Sequence, residues 1–311
     1  MQSEIFNTIG NELTKAVLEA VWIQWRSIGT LIESERVSRS LVDPEALLLM
    51  SLNLGHHEKR LWDIMDSWAR NGSQLFSIQR LKNLQNTFPQ ITRDRLAEFA
   101  WKAKIEGKDQ RWRGLMGEDP GAQTRYHELW NAYPASWHSS AIMLRLRLGF
   151  GMGIVSDLLT ILISQRGDWI SSRSIAKAIN YSVYSVRRSA DNMADARLIE
   201  STRKKPVRYR TEPEAWCDLL GIGEAIPGWR FWYQVYSFAS SLIVSTESGN
   251  WDDLSSYMLS SKLRDLVELH EDAFSLNHIE HPASRDYTGD EYLPAFNNFI
   301  GNLGAWIVEH A

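Results

Sequence analysis

Few residues in this chain are spaced for catalysis. His278, Glu280 and His281, with His270 and Asp272 upstream, are metal-ligand types, but their spacing matches no zinc template and Pro282 places them in a surface loop. His56-His57-Glu58 reads as a turn between helices. Gly149-Phe150-Gly151-Met152-Gly153 has the glycines of a phosphate cradle, yet no strand is expected before it and no Lys-Ser/Thr pair or ribose-binding acid follows, so it reads as a flexible linker. The single cysteine, Cys217, lies between Trp216 and Leu219 and is expected in a core; it excludes an internal disulfide and a cysteine zinc site. There is no G-x-S-x-G nucleophile motif, and no paired carboxylates suggest a glycosidase. The expectation is a protein that is not an enzyme and uses no metal or cofactor.

Charge is the more informative chemistry. The chain carries a net −4, but residues 166–210 hold 11 Lys and Arg against 4 acids, a local net of +7. The remaining residues then carry 23 basic and 34 acidic side chains, a net of −11. A short cationic island in an acidic chain is the footprint of a polyanionic partner, nucleic acid foremost.

The elements that must hold this island in place are overwhelmingly helical. Ile5, Ile9, Leu13, Val17, Val21, Trp25, Ile28 and Ile32 recur at steps of three and four, which predicts one long amphipathic helix packed into a core or against a second copy. Asp43 and Pro44 supply an N-cap and first position for a helix over residues 44–54. Helices over 58–70 and 78–88 follow, and the three could form a second, degenerate helix-turn-helix. Another helix is expected over 92–106 and a loop around Met116-Gly117-Glu118-Asp119-Pro120. Pro227 is expected to open a helical stretch, with a helix over 252–270, a turn-rich loop, and a closing helix over 293–310. The 14 Trp read as core fillers and interface anchors; the dense run Trp229 to Tyr236 is either a helix buried on several sides or part of a dimer contact.

Residues 154–211 break this helical monotony. Val155, Leu158, Leu159 and Leu162 share one helix face, which Arg166-Gly167-Asp168 terminates before a short strand at Trp169-Ile170. Ser171 or Ser172 can cap a helix with Ile175, Ala176 and Ile179 inward. After the tight turn Asn180-Tyr181-Ser182, Ser182 caps another with Val186, Ala190 and Met193 inward. Leu198-Ile199-Glu200-Ser201 then begins a strand. Val207, Tyr209 and Thr211 alternate with Arg208 and Arg210 as its return, across a basic turn. Helix, turn, helix and a hairpin with a cationic tip is the arrangement of a winged helix-turn-helix.

The stretch resembles the winged helix-turn-helix domains of bacterial regulators such as the ArsR and MarR families. Ser182-Val183-Tyr184-Ser185-Val186 stands where those families begin the recognition helix, and Leu198-Ile199 where they enter the wing. It departs from the simple members in its large flanking helical regions and its lack of a metal-sensing cysteine pair. The resemblance implies that Tyr184, Ser185, Arg187, Arg188 and Asp191 form the solvent face of the recognition helix, entering the major groove. It likewise implies phosphate contacts from Arg173 and Lys177, and backbone or minor-groove contacts from the wing residues Arg203, Lys204, Lys205 and Arg208.

The expected architecture is therefore mainly α: an N-terminal helical domain (1–140), a central winged helix-turn-helix with a small β-hairpin wing (141–212) and a C-terminal helical domain (213–311). The expected function is a transcriptional regulator that binds double-stranded DNA as a homodimer on a palindrome, with an unidentified effector. The competing expectation is an antitoxin-like accessory protein that uses the domain to hold a partner protein. The first 15 residues lack a basic region followed by an apolar core, and Arg145, Arg147 and Asp157 interrupt the most apolar run. No membrane segment is expected, and the cytoplasm is the expected compartment.

Overall fold

A computed structural model describes residues 2–30, 36–118, 138–202, 204–222, 226–248, 251 and 254–311. The predicted N-terminal helix forms as α1 (Gln2–Ser27), and its apolar face meets α11 (Trp232–Ser248) and α14 (Tyr292–His310). Chain segments more than 200 residues apart thus share one hydrophobic core. Phe6 stacks on Trp251 at 4.7 Å, and Trp232 tilts against Trp306 at 5.6 Å. The other elements of this core are α2 (Pro44–Leu54), α3 (Lys59–Asn71), α4 (Ile78–Leu84), α5 (Gln90–Ile105), α12 (Ser256–Leu269) and α13 (Glu271–Ser275).

The sequence of α2, PEALLLMSLNL, is apolar on nearly every face, and every one of its residues is buried. Asp43 caps it, accepting from the Ala46 backbone N–H at 3.3 Å. Such a helix serves as the axis of the core.

A second core gathers around α7 (Ile154–Ser164), with α6 (Ile142–Phe150), α8 (Ser172–Ile179), α9 (Val183–Asp195) and α10 (Pro213–Leu220). Its strands β1 (Ile170–Ser171), β2 (Glu200–Ser201) and β3 (Arg208–Arg210) form an antiparallel sheet in the order β1-β3-β2. Among the described residues the fold is mainly helical, and this is its one sheet. The linker read in Gly149 to Gly153 is an ordered turn: Gly151 and Gly153 take φ of +85° and +147°, and the Ser156 hydroxyl donates to the Gly151 carbonyl.

The expected helix start at Pro227 is instead an irregular segment, in which the Gly228 carbonyl accepts from the Leu41 N–H at 3.1 Å; the helix begins at Trp232. The aromatic run from Trp229 to Tyr236 follows the first of its two expectations: Trp229, Trp232, Tyr233 and Tyr236 are all buried within the chain's own two cores. The loop around residue 119 lies partly outside the described residues.

His270, at the end of α12, shows how tightly the first core closes. Its ring meets Phe238 edge-on at 5.7 Å, and burial pushes its pKa down to about 4. Between the unfolded value near 6.5 and the folded value, the unfolded chain binds the extra proton, so this contribution to stability is lost as pH falls through that window. His270→Phe is expected to remove about 2 kcal/mol of the destabilisation seen between about pH 7 and about pH 5 in urea titrations.

Candidate nucleic-acid interface

The unit from α7 to β3 is built on two serine caps. Ser171 Oγ accepts from Ser174 N–H at the start of α8, and Ser182 Oγ accepts from Ser185 N–H at the start of α9, both at 3.1 Å. Between them Asn180 takes the left-handed conformation, φ +57° and ψ +44°, that ends α8 and redirects the chain. Small Ala176 and Ala190, both buried, let α8, α9 and α7 close on one another. The inward positions expected for α8 and α9 (Ile175, Ala176, Ile179, Val186, Ala190 and Met193) are all buried.

A side-chain hydrogen bond ties the hairpin to α9. Tyr209, fully buried in β3, donates its hydroxyl to Asp191 Oδ1 at 2.7 Å, and burial first, then Asp191, raise its pKa well above the usual tyrosine value. The other oxygen of Asp191 faces Arg187 Nε at 3.9 Å. Asp191 is therefore a brace between hairpin and helix, and is not free to face a ligand. Tyr209→Phe is expected to cost about 1.5–3 kcal/mol, the worth of a hydrogen bond to a charged group, read by chemical denaturation.

The predicted interface residues fall into three groups. Arg173, Tyr184, Arg188, Lys204, Lys205 and Arg208 are exposed, with no acid within ion-pair distance among the described residues; Tyr184 is 75% exposed. Arg187 is exposed but oriented by Asp191. Three others are engaged: Lys177 pairs with Asp272 at 3.1 Å, and the Ser182 hydroxyl donates to that of Ser185 at 2.8 Å, so both hydroxyls belong to the cap. Arg203 lies outside the described residues. Arg210, part of the same basic island, is also committed: it forms a fork to Glu200 (2.9 and 3.1 Å) and lies 4.8 Å over the Trp169 ring.

What fixes this unit on the rest of the molecule was not visible in its own sequence. Arg80 Nε donates to the Ile179 carbonyl at 3.0 Å, and Asn83 Nδ2 to the Asn180 carbonyl at 2.7 Å, so α4 grips the α8–α9 turn. Tyr181 in that turn donates to Asp157 Oδ2 at 3.3 Å and lies 3.1 Å from Ser77 Oγ. Behind it lies a wholly buried ionic network. Arg80 pairs with Asp43 and Glu45, and Arg147 with Glu45 at 2.7 Å and Asp157 at 2.8 Å. Burial alone would raise the Glu45 carboxyl, but Arg147 and Arg80 overcome it and hold it below the usual glutamate value.

One set of metal-ligand types also converges. His56 and His57, in the turn after α2, both direct Nε2 at Glu247 of α11, at 3.0 and 2.6 Å. Arg95 donates to His56 Nδ1 at 3.3 Å, which places that ring's proton on Nε2, facing the carboxylate. The cluster is thereby satisfied as hydrogen bonds from imidazole to carboxylate. His278 and His281 make no such group among the described residues.

Comparison with family models, with curated proteins and with solved structures gives no match for this chain. No helix among the described residues is long and apolar enough to cross a membrane.

Proposed function

We propose that residues 154–211 are a winged helix-turn-helix that binds double-stranded DNA, and that the protein is a transcriptional regulator acting as a homodimer on a palindromic site. The observation that carries this reading is the set of exposed cations without acid partners, Arg173, Arg188, Lys204, Lys205 and Arg208, on one helix-turn-helix-hairpin unit of an otherwise acidic chain. Core packing does not account for them, since none is buried. Arg187 and Arg188 on α9 are suited to guanine edges, Tyr184 to a thymine methyl or phosphate, and the hairpin lysines to the backbone or minor groove.

The test is anisotropy of labelled duplex DNA against salt. With about five phosphate contacts, affinity should fall roughly 500-fold between about 50 and about 200 mM salt. Lys204→Ala with Lys205→Ala should weaken binding evenly across sequences and reduce the slope of log K against log salt by about 1.8. Absence of duplex binding by the wild type at low salt would contradict the reading.

A second reading, a module that holds a partner protein, draws on the exposed apolar pair Val183 and Tyr184 at the start of α9. Salt-insensitive co-purification of a stoichiometric protein, with no affinity for duplex, would favour it.

A further inference from the structure

The α8–α9 turn borders a cleft of about 500 Å³ that lies between the two cores. Asn180 forms one edge, the 86–89 turn another, and α11 with the α12–α13 junction its floor and far wall. Three polar atoms of this lining are buried without a hydrogen-bond partner: the donor Asn180 Nδ2, Gln234 Oε1 and His270 Nε2. Gln234 already uses its amide nitrogen, donating to Tyr233 Oη at 2.8 Å, so the atom left over is an acceptor. A buried acceptor without a donor costs free energy that a bound donor recovers.

The electrostatics specify the donor. Among the described residues no Lys or Arg lines the cleft, and the one formal charge of its lining is the Asp272 carboxylate, 61% exposed and paired with Lys177 just outside. His270, kept neutral by its burial, adds no positive charge and offers a ring nitrogen. The lining therefore suits a molecule with a cationic N–H group, a second donor for Gln234 and room for an acceptor at the Asn180 amide. The 86–89 turn and Tyr233 bring apolar wall for its body, through Phe88, Pro89 and the tyrosine ring.

Asp272 connects the cleft to the interface. Its present partner is Lys177, on α8, one of the residues expected to meet phosphate. A ligand ammonium at Asp272 would replace Lys177 and release a cation on the DNA-binding unit. We infer that this cleft is an effector site for a small primary amine bearing a second hydrogen-bond donor, and that its occupation frees Lys177 for DNA. The second half rests on the proposed DNA binding; the first does not.

The full chain, free of DNA, is titrated by calorimetry with tyramine and with 1,4-diaminobutane, each against the alcohol of matching shape, 2-(4-hydroxyphenyl)ethanol and butane-1,4-diol. At least one amine is expected to bind at one site per chain, with its alcohol about tenfold or more weaker. Asp272→Asn and Gln234→Leu should each weaken the amine by about tenfold; the first is exposed and leaves the fold intact. Failure of both amines to bind, or equal binding by wild type and both variants, overturns the site. In the anisotropy assay the bound amine should tighten duplex binding about fivefold, one added phosphate contact, and Asp272→Asn should do so without amine. An amine that binds and leaves duplex affinity unchanged overturns the coupling. A wild type that binds no duplex defeats the proposed function, while calorimetry still decides the site.

Discussion

Arg147→Met is expected to destabilise the protein by about 3–5 kcal/mol, measured as the shift in a urea or guanidinium transition. The guanidinium has no exposed surface and holds two carboxylates from different elements, Glu45 at the start of α2 and Asp157 in α7, as well as the Leu75 carbonyl at 2.8 Å. Methionine fills similar space but leaves Asp157 with only Tyr181 and Glu45 with only Arg80 as its cationic partner. The loss comes from stranding buried charge, so Asp157→Asn added to Arg147→Met should cost less than the sum of the single changes. The pH dependence has a definite sign. Because Glu45 is held below its ordinary 4.5, the stability it contributes is present above that value and disappears as pH falls through the lower folded one. In Arg147→Met that acid-side loss should shrink.

Arg187→Ala with Arg188→Ala is expected to weaken sequence-specific DNA binding about 100-fold or more, because each bidentate arginine–guanine contact discriminates by about 1–3 kcal/mol. Both side chains are exposed on α9, so the melting transition should hardly move. The two are not equivalent. Arg187 lies against Asp191, which Tyr209 fixes, whereas Arg188 has no acid partner among the described residues. Tyr209→Phe should therefore reproduce part of the loss through Arg187 alone, with Arg188 untouched.

How far the sequence could be read depended on how local each cause was. Asp43-Pro44, Ser171 and Ser182 act through neighbouring N–H groups, and the helices they begin stand where expected. The alternation of Val207, Tyr209 and Thr211 with two arginines likewise gave the hairpin face, since strand period is local. By contrast, Arg147 and Asp157 looked like charges interrupting an apolar run, and Arg80 sits in IQRLKNL like any surface residue. Their role depends on partners between 10 and 102 residues away. The same holds for the site. The exposed cations were legible from composition and register, but Lys177 was not distinguishable from them, because Asp272 meets it only through the tertiary fold.

The most direct test of DNA recognition is selection of duplexes from a random pool by the full-length wild type at low salt. The wild type is expected to recover a common motif, palindromic for a dimer, and the Arg187→Ala/Arg188→Ala variant to recover none although it still retains DNA through its hairpin lysines. A wild type that retains no duplex, or retains it without enriching any sequence beyond what the double variant enriches, would contradict that recognition.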